Sequence, residues 1–568
     1  MSILVLYGSE TGTAEDVAEG IRRDVKSRNA TTRVMQMDYF DTENLPDERV
    51  VIVVVSTSGQ GEMPSNTRTE WRKLLRKSLP GDFLQDVKFA VIGLGDSSYQ
   101  KYNFAAKKIY RRLIQLGASP IVPLHLADDQ HEIGIDGALI PFKKELYEKL
   151  SQILQNFLES PVSQSGVDPK YSIVEKPVSP ISRTNQESYP LEVVFNRRAT
   201  APDHFQDTRF VRFATKELDV FEYSPGDVLM LHPYNLEESV DMAISALGYS
   251  QDQLDASIYL SSNDPYVRLP PDWLIGSPTT IRKCLHRLFD LQQIPRRTFF
   301  EVMSKLSPDE MEKERLEELA SPERLDEMID YCTRPRRTIA EVLRDFPATS
   351  KSIPLENLFD LLPTIRPRAF SIASSSTKHQ GFIDLIVARV EYKSRMADPR
   401  RGICSNFIAR LKPGDTVLGK IRRGTFKFPP ADEPVICVGP GTGIAPFRSL
   451  LNSREDYSPA PSLLFFGCRG PESDYYFADE WAKLQGVKTF VAFSRVEGQK
   501  MYVQHLIKEK APEVWSVMQN GKVFIAGSSG AMPKEVGEAL DEIAAANGQS
   551  EWLKKAEATG RIQYETWS

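Results

Sequence analysis

A short turn near the amino terminus carries residue types that bind phosphate groups. Residues 8–14 are rich in glycine, serine and threonine, and they lie between a predicted strand (3–8) and a predicted helix (13–26). Small residues let backbone N–H groups approach an anion, hydroxyls add donors, and the start of a helix favours negative charge. We therefore expect a phosphate to contact Ser9, Glu10, Thr11, Gly12, Thr13 and Ala14. Taken alone, a tight turn without a ligand would use the same residues.

Two later loops carry groups that a flat ring attached to this phosphate would need. They follow the predicted strands 50–56 and 89–95, and parallel strands bring such loops to one edge of a sheet. Tyr99 is placed to stack on the ring, and Asp128 closes the loop after the predicted strand 121–126. The expected contacts are Ser56, Thr57, Ser58, Gly59, Gly61, Leu94, Gly95, Asp96, Tyr99, Tyr102, Asn103 and Asp128.

These three loops together resemble the FMN domain of the diflavin reductases. The resemblance implies that the phosphate and the ring belong to FMN. Residues 99–103 (YQKYN) match the family pattern except that Tyr102 replaces a phenylalanine. Ser58 stands where the family usually has a tyrosine that stacks on the flavin. One face of the flavin is then expected to be less covered, which leaves the FMN affinity open.

A basic strand start at residues 366–374 could hold a second flavin. An arginine suits a pyrophosphate, an aromatic ring can stack on a flavin, and a hydroxyl can lie near its reactive nitrogen. By itself this segment could equally be an ordinary basic strand. It resembles an FAD-binding motif of the ferredoxin–NADP reductase family, with Phe370 in the usual tyrosine position, and residues 402–407 resemble that family's second FAD element. The resemblance implies that FAD is held by Arg368, Ala369, Phe370, Ser371, Arg401, Gly402, Ile403, Cys404 and Ser405.

Another glycine-rich turn follows a predicted strand at 435–439 and precedes a helix. Gly441 and Thr442 lie in this turn, which suits a dinucleotide phosphate. Further along, a guanidinium, an ammonium and hydroxyls converge after the predicted strand 487–493, and such a set suits a dianion, whereas an NAD site would use an acid. The order of these motifs resembles that of the reductase family, in which the second group holds the 2′-phosphate of NADPH. The residues concerned are Ser494, Arg495, Lys500, Tyr502 and Gln504, with surface charge as the alternative for Lys500.

The end of the chain carries a tryptophan at position 567. In the family that the sequence resembles, a carboxy-terminal aromatic residue covers the FAD ring and moves to admit nicotinamide. We expect Trp567 to do this, with Ser371 and Glu565 tuning hydride transfer; a small packing anchor is the alternative for Trp567. Ala526 stands where related reductases have a cysteine. Because hydride transfer depends on alignment more than on acid–base catalysis, this change should slow the reaction without abolishing it.

The elements that must position these residues divide the chain into four parts. Residues 1–158 alternate apolar strands with helices, which predicts a doubly wound, flavodoxin-like α/β domain with a parallel sheet. Residues 159–188 are rich in serine and proline and are expected to be a flexible linker. Residues 189–431 predict an antiparallel β-barrel like that of ferredoxin–NADP reductase, with a helical insertion at about 235–360. Residues 432–568 predict a second doubly wound domain, for NADPH.

The composition excludes several classes of function. The chain has 568 residues, a net charge of −6 and no long basic patch, so nucleic acid is an unexpected partner. Its 5 cysteines are widely spaced and its 7 histidines form no metal motif, so we expect neither disulfides nor a metal site. The sequence leads directly into a strand and has no long apolar run, so we expect a soluble, cytoplasmic protein.

Together the motifs predict an α/β multidomain oxidoreductase that carries electrons from NADPH through FAD and FMN to a protein. The sequence most resembles the cytosolic diflavin reductases of iron–sulfur protein assembly, and that resemblance implies the iron–sulfur protein anamorsin as electron acceptor. A haem protein or a sulfite reductase as acceptor, and a non-catalytic protein that keeps the folds only for binding, are the alternatives. The sequence leaves open the redox potentials, the resting domain arrangement and the oligomeric state.

Overall fold

The computed structural model describes residues 2–567 apart from Gln60, Gln100, 163–165, 177–186, 217–220, 455–459 and 497–499. The chain divides into two compact units. The first comprises Met1–Asn185, Tyr234–Arg366 and Lys393–Arg400. The second comprises Gln186–Pro233, Pro367–Tyr392 and Arg401–Ser568. The helical insertion that we expected inside the second flavin domain therefore packs with the amino-terminal domain.

The amino-terminal domain is built on a parallel sheet. Its strands are β1 (Ser2–Gly8), β2 (Thr31–Gln36), β3 (Val50–Ser56), β4 (Lys88–Gly95), β5 (Ser119–Pro120) and β6 (His125–Asp128). Its helices are α1 (Thr13–Lys26), α2 (Arg68–Leu74), α3 (Phe104–Gln115) and α4 (Asp136–Ile153). The strand order is β2-β1-β3-β4, and β5 and β6 both pair with β4. This is the doubly wound topology that the sequence predicts.

Helices cover both faces of this sheet. Ile3 and Val5 of β1 pack in one core with residues of α1 and α4, and Leu4 and Leu6 pack in another with residues of α2 and α3. Alternate residues of a strand point to opposite faces, and a sheet covered on both faces needs apolar residues at both. The continuous apolar runs in the sequence follow from this burial.

The structure differs from the sequence prediction in two places in this region. In place of the strand expected at 121–126 there are two short strands, β5 and β6, and Pro123 between them has no N–H to donate to a sheet. Within the segment 159–188, expected to be a linker, strand β7 (Tyr171–Val174) pairs antiparallel with residues 259–262, and Tyr171 is buried. The remainder of that expected linker includes residues 163–165 and 177–186, which lie outside the described residues.

A helical segment interrupts the strands that follow. Strands β8 (Tyr189–Arg198), β9 (Thr208–Ala214) and β10 (Val228–His232) precede it. It holds strand β11 (Tyr259–Ser262) and helices α5 (Glu237–Leu247), α6 (Gln251–Asp255), α7 (Asp272–Ile275), α8 (Ile281–Arg287), α9 (Arg297–Leu306), α10 (Glu310–Ala320), α11 (Leu325–Met328), α12 (Ile339–Asp345), α13 (Pro347–Ser352) and α14 (Leu358–Leu361). Hydroxyl caps set several helix starts; Thr280, for example, accepts from the N–H of Lys283. Across the described ranges no helix has the length and apolarity needed to cross a membrane.

An antiparallel sheet forms the first part of the second unit. After the insertion come β12 (Arg368–Ser371), β13 (Phe382–Ala388), β14 (Glu391–Tyr392), β15 (Arg400–Arg401), α15 (Ile403–Arg410) and β16 (Thr416–Arg422). Six strands pair in the order β12-β10-β16-β8-β9-β13. Among the described residues the strand pairing does not close into a barrel, although the N–H of Ala373, just after β12, donates to the carbonyl of Asp384 in β13 (2.8 Å). The fold class is otherwise as the sequence predicts.

A second parallel sheet completes the chain. Its strands are β17 (Val435–Val438), β18 (Ser462–Cys468), β19 (Val487–Phe493), β20 (Lys522–Ser528) and β21 (Ile562–Trp567), in the order β19-β18-β17-β20-β21. Its helices are α16 (Ala445–Arg454), α17 (Ala478–Trp481), α18 (Val503–Glu509), α19 (Ala511–Met518), α20 (Ala531–Ala546) and α21 (Trp552–Thr559). The sequence does not predict β21, which holds the end of the chain beside β20.

Candidate cofactor-binding sites

The first phosphate loop joins β1 to α1 in the form that the sequence predicts. Gly12 is the N-cap of α1 with φ of 92°, a left-handed conformation that glycine adopts without strain, and it has no side chain to cap the helix. Ser9 Oγ accepts from the N–H groups of Gly12 (2.9 Å) and Ala14 (3.3 Å). The N–H groups of Thr11 and Thr13 donate to no acceptor in the part of the chain that the structure describes. Donors gathered at a helix start fit a phosphate group such as that of FMN.

Hydrogen bonds join the other two expected FMN loops to the first at the same sheet edge. Ser56 Oγ donates to the carbonyl of Gly8 (3.2 Å), which joins the second loop to the first. The N–H of Thr57 donates to the carbonyl of Leu94 (3.2 Å), which joins it to the third. Gly59 and Gly61 have positive φ, and Ser58 Oγ is buried with no hydrogen-bond partner among the described residues. A buried hydroxyl without a partner is costly, and a polar ligand atom would satisfy it.

Hydrogen bonds to β6 hold several residues of the third loop in place. Asn103 is fully buried and its amide donates to the carbonyl of Ala127 (2.9 Å), while the hydroxyl of Tyr102 donates to Leu126 (3.0 Å). Asp128 Oδ1 accepts from the N–H of Ser97 (2.9 Å). Tyr99 is half-buried. These contacts support a positioning role for Tyr102, Asn103 and Asp128, and they leave the Tyr99 ring to cover a flavin.

The two expected FAD segments lie close together in the second unit. Gly402 is the N-cap of α15 and provides no side-chain cap, so the start of this helix suits a pyrophosphate. Ser405 Oγ accepts from the N–H of Val390 (3.0 Å). Burial raises the pKa of the Cys404 thiol to about 12, and the positive charge of Arg368 opposes this shift, which places Arg368 of β12 near the second segment. The residues present therefore fit FAD.

Ser371 at the end of β12 bonds to the carboxy-terminal strand. Its Oγ donates to Glu565 Oε1 (2.8 Å), whereas Glu565 Oε2 is buried without a hydrogen-bond partner among the described residues. Burial raises the pKa of the Glu565 carboxyl; the hydrogen bond from Ser371 and the charge of Arg422 oppose this shift. Trp567 ends the same strand, and its backbone carbonyl accepts from the N–H of Ser529 (2.9 Å). Ser371 and Glu565 thus connect the two sheets, and Trp567 lies further along the same strand as Glu565.

The glycine-rich turn that follows β17 is shaped by close backbone contacts. A Cβ on Gly443 would lie 2.3 Å from the carbonyl oxygen of Ala526, and one on Gly439 would lie 2.7 Å from that of Gly443. Gly441 has a φ of 57° and no atom within 4 Å of its Cβ position, so its backbone is open to a ligand. Only glycine allows this approach of the turn to β20, which fits the dinucleotide that the sequence predicts.

A cavity of about 540 Å³ lies beside this turn. Its lining includes Ser494, Tyr502 and Gln504, three of the residues expected to bind the 2′-phosphate. Hydrogen bonding to Arg495, and then to Lys500, lowers the pKa of the Tyr502 hydroxyl, so both cations lie next to that ring. A hydroxyl flanked by a guanidinium and an ammonium is suited to a phosphate dianion.

Sequence reasoning gave no role to two further residues of this cavity, Arg469 and Glu535. Arg469 directly follows β18, and its carbonyl accepts from the N–H of Arg495 (3.0 Å), so a cation after a strand end was an available signal. Glu535 accepts from Gln504 Nε2 (2.6 Å), and nothing in the sequence pattern indicates that contact. No group of three His, Cys, Asp or Glu side chains in the described ranges is arranged to hold a metal ion.

Three stretches of the chain match known protein families. Residues 5–139 match the flavodoxin family, 181–407 match the FAD binding domain, and 437–537 match the oxidoreductase NAD-binding domain. The chain is 39% identical over 601 residues to "NADPH-dependent diflavin oxidoreductase 1" of Bos taurus, 40% over 602 residues to the Xenopus laevis protein of that name, and 36% over 588 residues to the Schizosaccharomyces pombe one. Each match covers 100% of this chain and 99% of the relative.

Proposed function

Because this chain belongs to the family of NADPH-dependent diflavin oxidoreductases, we propose that it delivers electrons from NADPH to the iron–sulfur protein anamorsin in the cytoplasm. Oxidoreductase activity with FMN, FAD and NADPH follows from the family. The acceptor is the proposed part. It is supported by residues 368–371 (RAFS) and by Ala526, which resemble the reductases of cytosolic iron–sulfur protein assembly.

The described residues serve mainly to hold cofactors in position. When bound, NADPH supplies a hydride and the two flavins convert this electron pair into single electrons for the acceptor. The protein needs to align the donor and acceptor rings, since alignment can supply a large part of such a rate enhancement. The close approach of Gly443 to the carbonyl of Ala526 fixes the position of the nucleotide turn against β20. The side chains of Arg495, Lys500 and Tyr502 would bind the 2′-phosphate of the coenzyme.

The Glu565 carboxyl lies beside Ser371, a residue expected to contact FAD. Because Ser371 donates to Oε1, the proton of the neutral carboxyl belongs on Oε2, the buried oxygen without a partner. Burial favours this neutral form, which is the direction of the shift in pKa. We propose that this pair keeps the hydroxyl of Ser371 oriented.

The acceptor can be tested by following the visible absorbance of oxidised anamorsin under anaerobic conditions. Addition of NADPH and catalytic amounts of this protein should bleach the clusters, and omission of either component should leave them oxidised. Cytochrome c serves as an artificial one-electron acceptor that reports the oxidoreductase activity independently. If cytochrome c is reduced while the clusters of anamorsin stay oxidised, the acceptor assignment is wrong. A haem protein and the haem subunit of sulfite reductase, tested in parallel, would then identify the class of acceptor.

A further inference from the structure

Two carboxylates follow the FMN phosphate loop in the chain. Glu15 and Asp16 occupy the first turn of α1, immediately after the residues expected to hold the phosphate. Negative charges close to a phosphate dianion repel it. Arg296 of the helical insertion and Arg366, which follows it, supply positive charge beside the loop, and both belong to the same unit as α1.

Arg366 compensates the first carboxylate. Its guanidinium forms an ion pair with Glu15, which also accepts from the hydroxyl of the buried Tyr7 (3.2 Å). The position of a Cβ on Gly12 would lie 3.4 Å from Arg366 Nε and 3.9 Å from Nη2. The guanidinium thus lies against the backbone of the phosphate loop at Gly12.

Arg296 compensates the second carboxylate. Its Nη2 donates to Thr13 Oγ1 (2.7 Å), and its Nη1 lies 3.8 Å from Asp16 Oδ2. The hydroxyl of Thr298 also donates to Asp16 (3.0 Å), which fixes this carboxylate beside the start of α9. Thr13 is a residue of the phosphate loop itself, so Arg296 already bonds to the expected ligand shell.

Both guanidinium groups border one cavity together with Thr11 and Gly12. Both arginines reach the first turn of α1, and Arg296 also reaches a loop hydroxyl, from outside the amino-terminal domain. The helical insertion and the phosphate loop are therefore electrostatically coupled. Without these arginines the phosphate would face two uncompensated acids.

We propose that Arg296, in the helical insertion, and Arg366, between the insertion and β12, recognise the phosphate of FMN, so that FMN binding and the contact of this region with the phosphate loop strengthen each other. Such coupling is reciprocal, because a group that binds better in the docked arrangement stabilises that arrangement by the same factor. This inference does not depend on the identity of the electron acceptor. It assigns two cofactor-positioning residues that lie far from the loop motifs in sequence.

Riboflavin, which lacks the phosphate, separates this effect from ring binding. The full-length protein is stripped of FMN, and the dissociation constants of FMN and riboflavin are measured by fluorescence quenching. In Arg296→Ala/Arg366→Ala the preference for FMN over riboflavin should fall about tenfold or more, since a charge-assisted contact to phosphate is a strong one. Each single variant should lower the preference about threefold, which keeps the test available if the double variant does not fold.

Arg297→Ala is the matched control. Arg297 pairs with Asp136 at the start of α4 (3.5 Å), so its loss weakens the contact between insertion and domain away from the phosphate loop. This variant should keep the wild-type preference for FMN. Adding Glu15→Gln and Asp16→Asn to the double arginine variant should restore much of the lost preference. Equal weakening of FMN and riboflavin, or an unchanged preference in both single variants, would overturn the proposal.

Discussion

Ala526 and Glu565 lie opposite each other on the adjacent parallel strands β20 and β21. Ala526 stands where related reductases have a cysteine, and its carbonyl lies close to the nucleotide turn at Gly443. The carboxyl of Glu565 accepts from the hydroxyl of Ser371 in β12, part of the expected FAD site (2.8 Å). The carboxy-terminal strand therefore connects the two nucleotide sites of the second unit through a single pair of neighbouring residues.

The raised pKa of Glu565 predicts a pH-dependent stability. A carboxyl with a higher pKa in the folded protein ionises first in the unfolded chain, so its contribution is fully present below the unfolded value of about 4.5 and is lost as pH rises through the folded pKa. The melting temperature of the wild type, relative to Glu565→Gln, should therefore fall as pH rises from 4.5. A constant difference across that range would show that Glu565 is not held neutral.

Arg495 and Lys500 should decide the choice between NADPH and NADH. Arg495→Ala or Lys500→Ala should raise the KM for NADPH about tenfold or more and leave that for NADH nearly unchanged, because the two coenzymes differ only in the 2′-phosphate. Steady-state reduction of cytochrome c measures both constants. Lys534→Ala removes an exposed lysine of α20 and is the matched control. Equal losses for both coenzymes would mean that the phosphate lies elsewhere.

Gly443 should tolerate no side chain. In Gly443→Ala the new Cβ would clash with the carbonyl of Ala526 at 2.3 Å, so the turn must move and NADP⁺ binding should become undetectable by calorimetry at micromolar protein. Gly81→Ala is the control, since its Cβ would lie 3.9 Å from the nearest atom. Normal NADP⁺ affinity in Gly443→Ala would contradict the close approach of turn and strand.

Ser58 should limit the affinity for FMN. Replacing it by tyrosine supplies the ring that the FMN domain of the diflavin reductases usually has, and stacking of aromatic rings contributes about 0.5–1.5 kcal/mol. Ser58→Tyr is therefore expected to bind FMN several-fold more tightly in a fluorescence titration. Ser58→Ala, which removes only the hydroxyl, separates stacking from the loss of a polar contact. Weaker binding in Ser58→Tyr would show that the second loop has no room for a ring.

Much of the architecture could be predicted because parallel sheets leave a clear signature in the sequence. Strands such as β3 and β17 are buried on both faces, so their residues are apolar without alternation and each is followed by a polar turn and a helix. The same signature, a buried strand followed by a turn and a helix, located the glycine-rich turns after β1 and β17. It works because the turn, the helix start and the ligand donors are all close together in the chain.

The remaining features depend on contacts between distant residues. Strand β21 was missed because its residues are only partly apolar and its pairing partner lies outside the segment. Strand β7 was missed because serine and proline around it resemble a linker. Arg296 and Arg366 are separated from Thr13 and Glu15 by more than 280 positions, so no local spacing could indicate these contacts.

Electron transfer from NADPH through FAD to FMN requires three nucleotide sites to be filled in one polypeptide. Heat release of the flavins from purified protein, followed by chromatographic quantification, tests this most directly. The expected result is one FMN and one FAD per chain, with the colour of both lost on anaerobic addition of NADPH. A chain that holds a single flavin, and takes up no second one when FMN and FAD are supplied, would contradict it.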